Sequence, residues 1–302
     1  MFSRVSDFLK QRDVEFKEYE PLSSHSAIRI GGCARIFATP DTEDKLCDLV
    51  GFLYESGIKY KVVGGSSNLL FDDGLYNGVI VSFLKLKRKN AAECLISAEC
   101  GIRAGELFRF AAGFGLGGAE GLAHIPGTLG GLIYMNAGAY GYTISELVRS
   151  VRVFDPRSRS VRIMDASELG FSYRRSIFQS EPIIALCCEM CLVPGECEDI
   201  LARMRSLGLK RRETQPLDRP SLGSTFKRVG QTSAGYYIDK AGLKGLRIGG
   251  AEVSEKHAGF VVNAGGATAS DVLSLISLVK ARVFAAFGVM LEEEIEFLDG
   301  RS

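Results

Sequence analysis

The sequence predicts an α+β chain organised in two regions. Three observations carry that expectation. Segments with strand character and segments with helical periodicity alternate irregularly, where a doubly wound sheet would alternate them regularly. At 302 residues the chain is long enough for two domains. The texture also changes near Pro194, where apolar strand-like runs give way to a charged amphipathic helix.

The elements follow in order. Residues 2–16 read as a helix with Phe2, Val5, Phe8 and Leu9 on one face. PLSSHSAIRIGGCARIFATP then sets Ile28, Ile30 and Ile36 among short turn residues. A helix is predicted over 41–55, feeding the strand-like KYKVVGG. Residues 77–83 and 94–98 read as short strands and 104–114 as a helix. VRSVRVFD, VRIMD and PIIALCCEMCLV read as further strands. Past Pro194 come a helix over 198–212, the connection TQPLDRPSLGS, the helical YYIDKAGL, a turn in LKGLRIGGAEV and the strand-like GFVVNAG. The clearest helix starts at a Ser270 cap and carries an apolar stripe of Val272, Leu275, Ile276, Val279, Val283 and Phe287. Gly288 ends it, and VMLEEEIEFL reads as a last strand.

Bulk properties exclude several classes. With 37 basic against 36 acidic residues, the net charge of +1 gives no electrostatic case for nucleic acid or an anionic membrane surface. Charges interrupt the N-terminal MFSRVSDFLKQRDVEF, so no signal peptide is expected, and no membrane span is expected either. A cytoplasmic protein is the simplest reading. Of the eight cysteines, Cys188 and Cys191 have redox spacing, but they lie in an apolar run and are expected to be inert buried thiols. No zinc set completes them, and His25, His124 and His257 show no metal spacing, so no metal is expected.

Five stretches carry chemistry. In VVGGSSNLLF a strand runs into a turn, Gly64, Gly65, Ser66, Ser67 and Asn68, whose successive N–H groups can cradle a pyrophosphate. HIPGTLGGLIYMNAGAYG holds five glycines and no Asp, Glu, Lys or Arg, and reads as broken strand and loop. Its turns are Ile125, Pro126, Gly127 and Thr128, then Gly130 and Gly131, then Asn136, Ala137, Gly138 and Ala139. Glycine permits both close approach to a bulky ligand and dihedrals that other residues avoid. In FSYRRSIFQ an extended backbone would send Tyr173 and Arg175 one way and Arg174 and Ser176 the other, aiming one guanidinium at a carboxylate. QPLDRPSLGSTFKR sets Ser224 after a glycine with Lys227 and Arg228 close behind. LEEEIEFL, read as a strand, puts Glu292, Glu294 and Glu296 on one face. Chemistry alone leaves these open as tight turns, a solvated strand edge, a turn serine and a wet face.

Together, in order and spacing, these stretches resemble the UDP-N-acetylenolpyruvoylglucosamine reductases, the MurB flavoenzymes, from PLSSHSAIRIGG to LEEEIEFLDG. The length resembles the family's shorter type, which lacks an extra loop over the substrate. The resemblance implies a vanillyl-alcohol-oxidase/PCMH-type FAD-binding region over 1–195, with a small N-terminal subdomain, followed by a MurB-type α+β substrate domain over 196–302. The two Gly-rich regions would grip FAD. The implied reaction, that of a UDP-N-acetylmuramate dehydrogenase in peptidoglycan precursor synthesis, moves a hydride from NADPH by way of FAD to UDP-N-acetylglucosamine enolpyruvate. Arg174 would stabilise charge on the substrate carboxylate, Ser224 would donate the proton, and Glu294 would assist at the carboxylate. Tyr173 and Lys227 would contact substrate. The sequence departs from the family at three places. Arg228-Val229 stands where Asn-Pro is usual, Gly259 where Asn is usual, and Ser66 where Gly is usual. Arg228 is expected to bind the UDP diphosphate in place of the lost amide. A monomer without nucleic-acid or membrane partners is expected. The competing readings are a flavin oxidase of the same fold and a non-catalytic nucleotide-sugar binder.

Overall fold

Buried side chains gather into two hydrophobic cores in the computed structural model, which describes residues 2–300. The cores correspond to two units. Unit 1 comprises residues up to Glu18, Ile36–Gly65 and Gly78–Leu209; unit 2 comprises Tyr19–Arg35, Ser66–Asn77 and the chain from Lys210 onward.

Unit 1 contains α1 (Phe2–Gln11), α2 (Glu43–Glu55), α3 (Ala104–Gly113) and α4 (Leu129–Tyr134). One sheet orders its strands Glu15–Pro21, Cys33–Thr39, Tyr76–Ser82 and Tyr60–Val63, and the last two run parallel. The other is antiparallel, in the order Ser160–Asp165, Val148–Asp155, Ile184–Cys191, Leu95–Glu99, Lys89–Ala92. Leu46, Leu49, Val50 and Leu53 of α2 are buried in the same core as Val79, Val81, Ile96, Cys188 and Met190. Each fully buried aliphatic side chain contributes about 1.5–3 kcal/mol of transfer free energy.

Three expectations are corrected here. The helix expected over 2–16 stops at Gln11, because Asp13 adopts φ +50° and the Val14 N–H closes the end on Leu9 O; a strand begins at Glu15. The second Gly-rich stretch is not wholly broken strand and loop. Thr128 Oγ1 accepts from Gly131 N at 3.3 Å and caps α4, whose Leu129, Leu132 and Ile133 are buried. Burial overrides the weak helix propensity of two glycines there. The cysteines also divide: Cys188 is buried, whereas Cys191 is exposed and its sulfur lies 3.7 Å from that of Cys94.

Unit 2 contains α6 (Ala234–Lys240) and α7 (Ala269–Phe287), and α5 (Cys197–Thr214) spans the 209/210 division. Its sheet has the order Ser221–Ser224, Phe260–Asn263, Ala251–Val253, Arg247–Ile248. Val272, Leu275, Ile276, Val279 and Val283 of α7 share a core with Ile28, Ile30 and Leu70. Phe287, expected on that stripe, is 43% exposed. The cap of α7 is Thr268 rather than Ser270: Thr268 Oγ1 accepts from Asp271 N, and the Asp271 carboxylate accepts from Thr268 N, both at 3.0 Å. The N–H groups of Ala269 and Ser270 donate to Asp73. Gly288, at φ +66°, ends the helix as expected. Of the expected last strand, only Glu296–Leu298 forms one, parallel to Leu69–Phe71. No helix of the described residues is long and apolar enough to cross a membrane.

Candidate functional site

Within unit 1 the structure brings the two Gly-rich regions together. A Cβ added to Gly64 would lie 2.3 Å from Thr128 Oγ1, and one on Gly65 would lie 4.0 Å from Gly127 Cα and Pro126 O. Only glycine at position 64 permits that approach. Gly130 packs into the protein, its missing side chain replaced by Phe83 and Cys100. Where the chain leaves unit 1, Ser66 adopts φ +44°, a left-handed conformation that favours glycine. Its main-chain carbonyl accepts from Ala27 N at 3.3 Å. Its hydroxyl is buried with no partner among the described residues, as is that of Ser26 in the same unit. Unmatched buried hydroxyls are costly unless something else satisfies them. A phosphate-bearing cofactor supplies acceptor oxygens of the kind these two hydroxyls lack, so they fit one.

The second half of the Gly-rich stretch orients Arg174. Residues 172–175 are not extended. Ser172 and Arg175 exchange main-chain hydrogen bonds at 3.1 and 3.0 Å, and Arg174 sits at the tip with φ +56°. The alternation expected for Tyr173 to Ser176 is thus replaced by a tight turn, which places a strained backbone under the guanidinium. Arg174 Nη2 donates to Gly138 O at 3.2 Å, Nη1 to Asn136 O at 3.5 Å, and the group lies 5.1 Å from the centre of the Tyr173 ring. Asn136, buried and at φ +41°, donates from Nδ2 to Ser172 O at 2.9 Å and accepts from Ser145 N. Asn136 is therefore a strut for the arginine turn. Ala137 is tied to Leu132 and Ile144 by main-chain bonds, and Ala139 pairs with Tyr142.

In unit 2 the residue that follows Ser224, Thr225, hydrogen-bonds the main chain of Glu294. Gly223, at φ +79°, turns the strand end so that Ser224 is exposed opposite Phe260. The next residue, Thr225, is buried. Its N–H donates to Gly259 O at 2.8 Å, its Oγ1 accepts from Val261 N at 3.1 Å, and its carbonyl accepts from Glu294 N at 2.8 Å. Phe226 bridges Glu293, and Lys227 N donates to Glu292 O at 2.9 Å. Asn68 Nδ2 donates to Glu294 O at 3.0 Å. The acids do not share a strand face as expected, because residues 291–295 lie outside the last strand. Lys227 pairs with Glu292 at 3.4 Å and Lys280 with Glu293 at 2.8 Å, while Glu294 is half-buried. Arg228 is exposed and donates to Gln231 O. At the departure Gly259, a Cβ would lie 3.0 Å from the His257 ring, whose Nδ1 accepts from Gly259 N. Among the described residues no three His, Cys, Asp or Glu are grouped to hold a metal.

Two residues escaped the sequence reading. Arg103 bridges Thr128, and its Nη1 lies 3.8 Å from where a Gly65 Cβ would be, which adds a positive charge beside the two turns. Its position just before α3 and one strand-end past Glu99 was the available signal. Thr225 gave no signal, because its partners at 259, 261 and 294 are remote in sequence.

Comparison with known proteins adds three findings. Residues 215–298 match the family model described as the C-terminal domain of UDP-N-acetylenolpyruvoylglucosamine reductase, and residues 34–163 match an FAD binding domain. A UDP-N-acetylenolpyruvoylglucosamine reductase of Caldicellulosiruptor bescii is 41% identical over 96% of this chain and 93% of its own. That of Syntrophomonas wolfei is 39% identical over 98% of each. The crystal structure of the same reductase from Thermus caldophilus superposes with a TM-score of 0.80 at 32% identity, covering 95% of this chain and 99% of that one.

Proposed function

The chain belongs to the UDP-N-acetylenolpyruvoylglucosamine reductase (MurB) family, and from that premise we propose that it reduces UDP-N-acetylglucosamine enolpyruvate to UDP-N-acetylmuramate with NADPH, a step of peptidoglycan precursor synthesis. FAD, when bound, supplies the hydride chemistry. The residues that would hold it are the turn 64–68, residues 125–128 with Gly130 and Gly131, residues 136–139 and, beyond the sequence reading, Arg103. In functional terms 1–195 serves the cofactor and 196–302 the UDP-sugar, while 19–35 and 66–77 pack with the latter.

The protein's own groups divide the remaining work. Arg174, preset by two carbonyls and the Tyr173 ring, binds the substrate carboxylate and stabilises the negative charge that builds on it. The Ser224 hydroxyl donates a proton to the substrate carbon next to that carboxylate. Glu294 assists at the carboxylate. Lys227, Tyr173 and Arg228 contact substrate, Arg228 through the diphosphate. The enzyme works in the cytoplasm as a monomer.

The observation that carries the reading is the hydrogen bond from Glu294 N to Thr225 O, which supports a proton donor and a carboxyl group working side by side. An absorbance experiment tests it. The purified protein should show a flavin band at about 450 nm, bleached by NADPH without oxygen and restored by the enolpyruvyl substrate. Bleaching without restoration overturns the substrate assignment.

A further inference from the structure

The turn after strand Lys89–Ala92 carries Glu93 at φ +53° and then Cys94, which leads into strand Leu95–Glu99. Cys191 ends the neighbouring strand Ile184–Cys191, in register with Leu95. The Leu192 N–H donates to Cys94 O at 2.8 Å, which fixes the two backbones against each other. The Cys191 thiol donates to the Cys94 sulfur at 3.7 Å. Cys191 is exposed and Cys94 half-buried, so solvent reaches the pair. No role in flavin or sugar chemistry uses either residue.

We propose that Cys94 and Cys191 form a peroxide-sensitive dithiol that closes reversibly into a disulfide. The sulfurs must approach from 3.7 Å to about 2.05 Å, within reach of a side-chain rotation at the exposed Cys191 on a fixed backbone. Cys94 is the nucleophile and Cys191 the resolving thiol, because the Cys191 S–H is directed at the Cys94 sulfur. Its sulfur attacks one oxygen of hydrogen peroxide; an S–O bond forms, the O–O bond breaks, and water leaves after protonation. The Cys191 sulfur then attacks the sulfenic sulfur; an S–S bond forms, the S–O bond breaks, and a second water leaves. Two thiols lose two electrons in all, and one peroxide gains them. Three of the other thiols compete poorly. Burial pushes those of Cys100 and Cys188 well up, and that of Cys47 to about 12, so they hold little thiolate.

The test uses the full-length, FAD-loaded protein. It is treated with one equivalent of hydrogen peroxide, alkylated with iodoacetamide, digested and mapped by mass spectrometry with and without dithiothreitol. The expected result is a peptide pair joined through Cys94 and Cys191, two hydrogens lighter than the separate thiol peptides and reverted by dithiothreitol. Thiol titration after denaturation should lose two of the eight groups. In Cys191→Ser, dimedone should label Cys94. Retention of all eight thiols under peroxide that oxidises glutathione overturns the proposal. So does a bridge through any other cysteine, or oxyacid at either sulfur of the wild type without a bridge.

Discussion

Thr128 occupies the space that a side chain on Gly64 would need, with its Oγ1 2.3 Å from the position of the missing Cβ. Gly64→Ala should therefore push the two Gly-rich regions apart. The expected cost is about 1–3 kcal/mol, with FAD occupancy lowered in parallel. The ratio of flavin to protein absorbance and the melting temperature measure both. Gly113→Ala is the control, because nothing lies within 4 Å of its Cβ position; an equal loss there would show that the cost is generic.

Ser66 holds a left-handed backbone at φ +44° while its hydroxyl goes unmatched among the described residues. Ser66→Gly should relieve about 1 kcal/mol of strain and raise the melting temperature of the flavin-free protein. A drop would mean that the hydroxyl has a partner, such as bound water, worth more than the strain.

Arg103 adds the positive charge beside both turns. Arg103→Gln should weaken FAD binding by roughly tenfold, as loss of one charge-assisted contact implies, and flatten its salt dependence. Flavin fluorescence titration at two ionic strengths reads this. An unchanged Kd removes Arg103 from the cofactor site.

Thr225 joins Ser224 to Glu294 and satisfies the Val261 amide. Ser224→Ala should leave flavin reduction by NADPH intact and slow reoxidation by substrate by about 10²–10⁴. Thr225→Val keeps the shape but strands a buried N–H, at a cost of about 1–3 kcal/mol. It should slow the same half-reaction more mildly. Equal slowing of both half-reactions in Ser224→Ala would remove the serine from proton donation.

Burial lowers the pKa of His257 below its ordinary value of 6.5, and its Nδ1 is already committed to the Gly259 amide. The unfolded chain therefore binds the proton more readily than the folded one. Stability from this residue is full above pH 6.5 and declines as pH falls through that value toward the folded pKa. Melting temperatures from pH 7.5 down to 5.5 should fall by on the order of 1 °C more in the wild type than in His257→Gln. Parallel slopes would show that other groups carry the dependence.

What the sequence disclosed depended on how far apart the partners lie. The Gly-rich turns were visible because glycine among apolar residues is chemically odd, and the core stripe of α7 because its period is local. The arginine turn reads as extended in the sequence, since nothing in the composition reveals a φ of +56° at Arg174. Helix α4 was missed because tertiary burial of Leu129, Leu132 and Ile133 outweighs its glycines. Thr225 was invisible because its three partners come from strands and loops brought near only by folding. Ser224 and Glu294 are proposed from family resemblance, not from local chemistry.

Unit 2 takes Ile28, Ile30 and Leu70 into its core, and pairs Leu69–Phe71 with Glu296–Leu298. A gene fragment encoding only the region after 196 would consequently lack part of its own interior and one of its strands. Such a half cannot be traded between genes as a free-standing cassette.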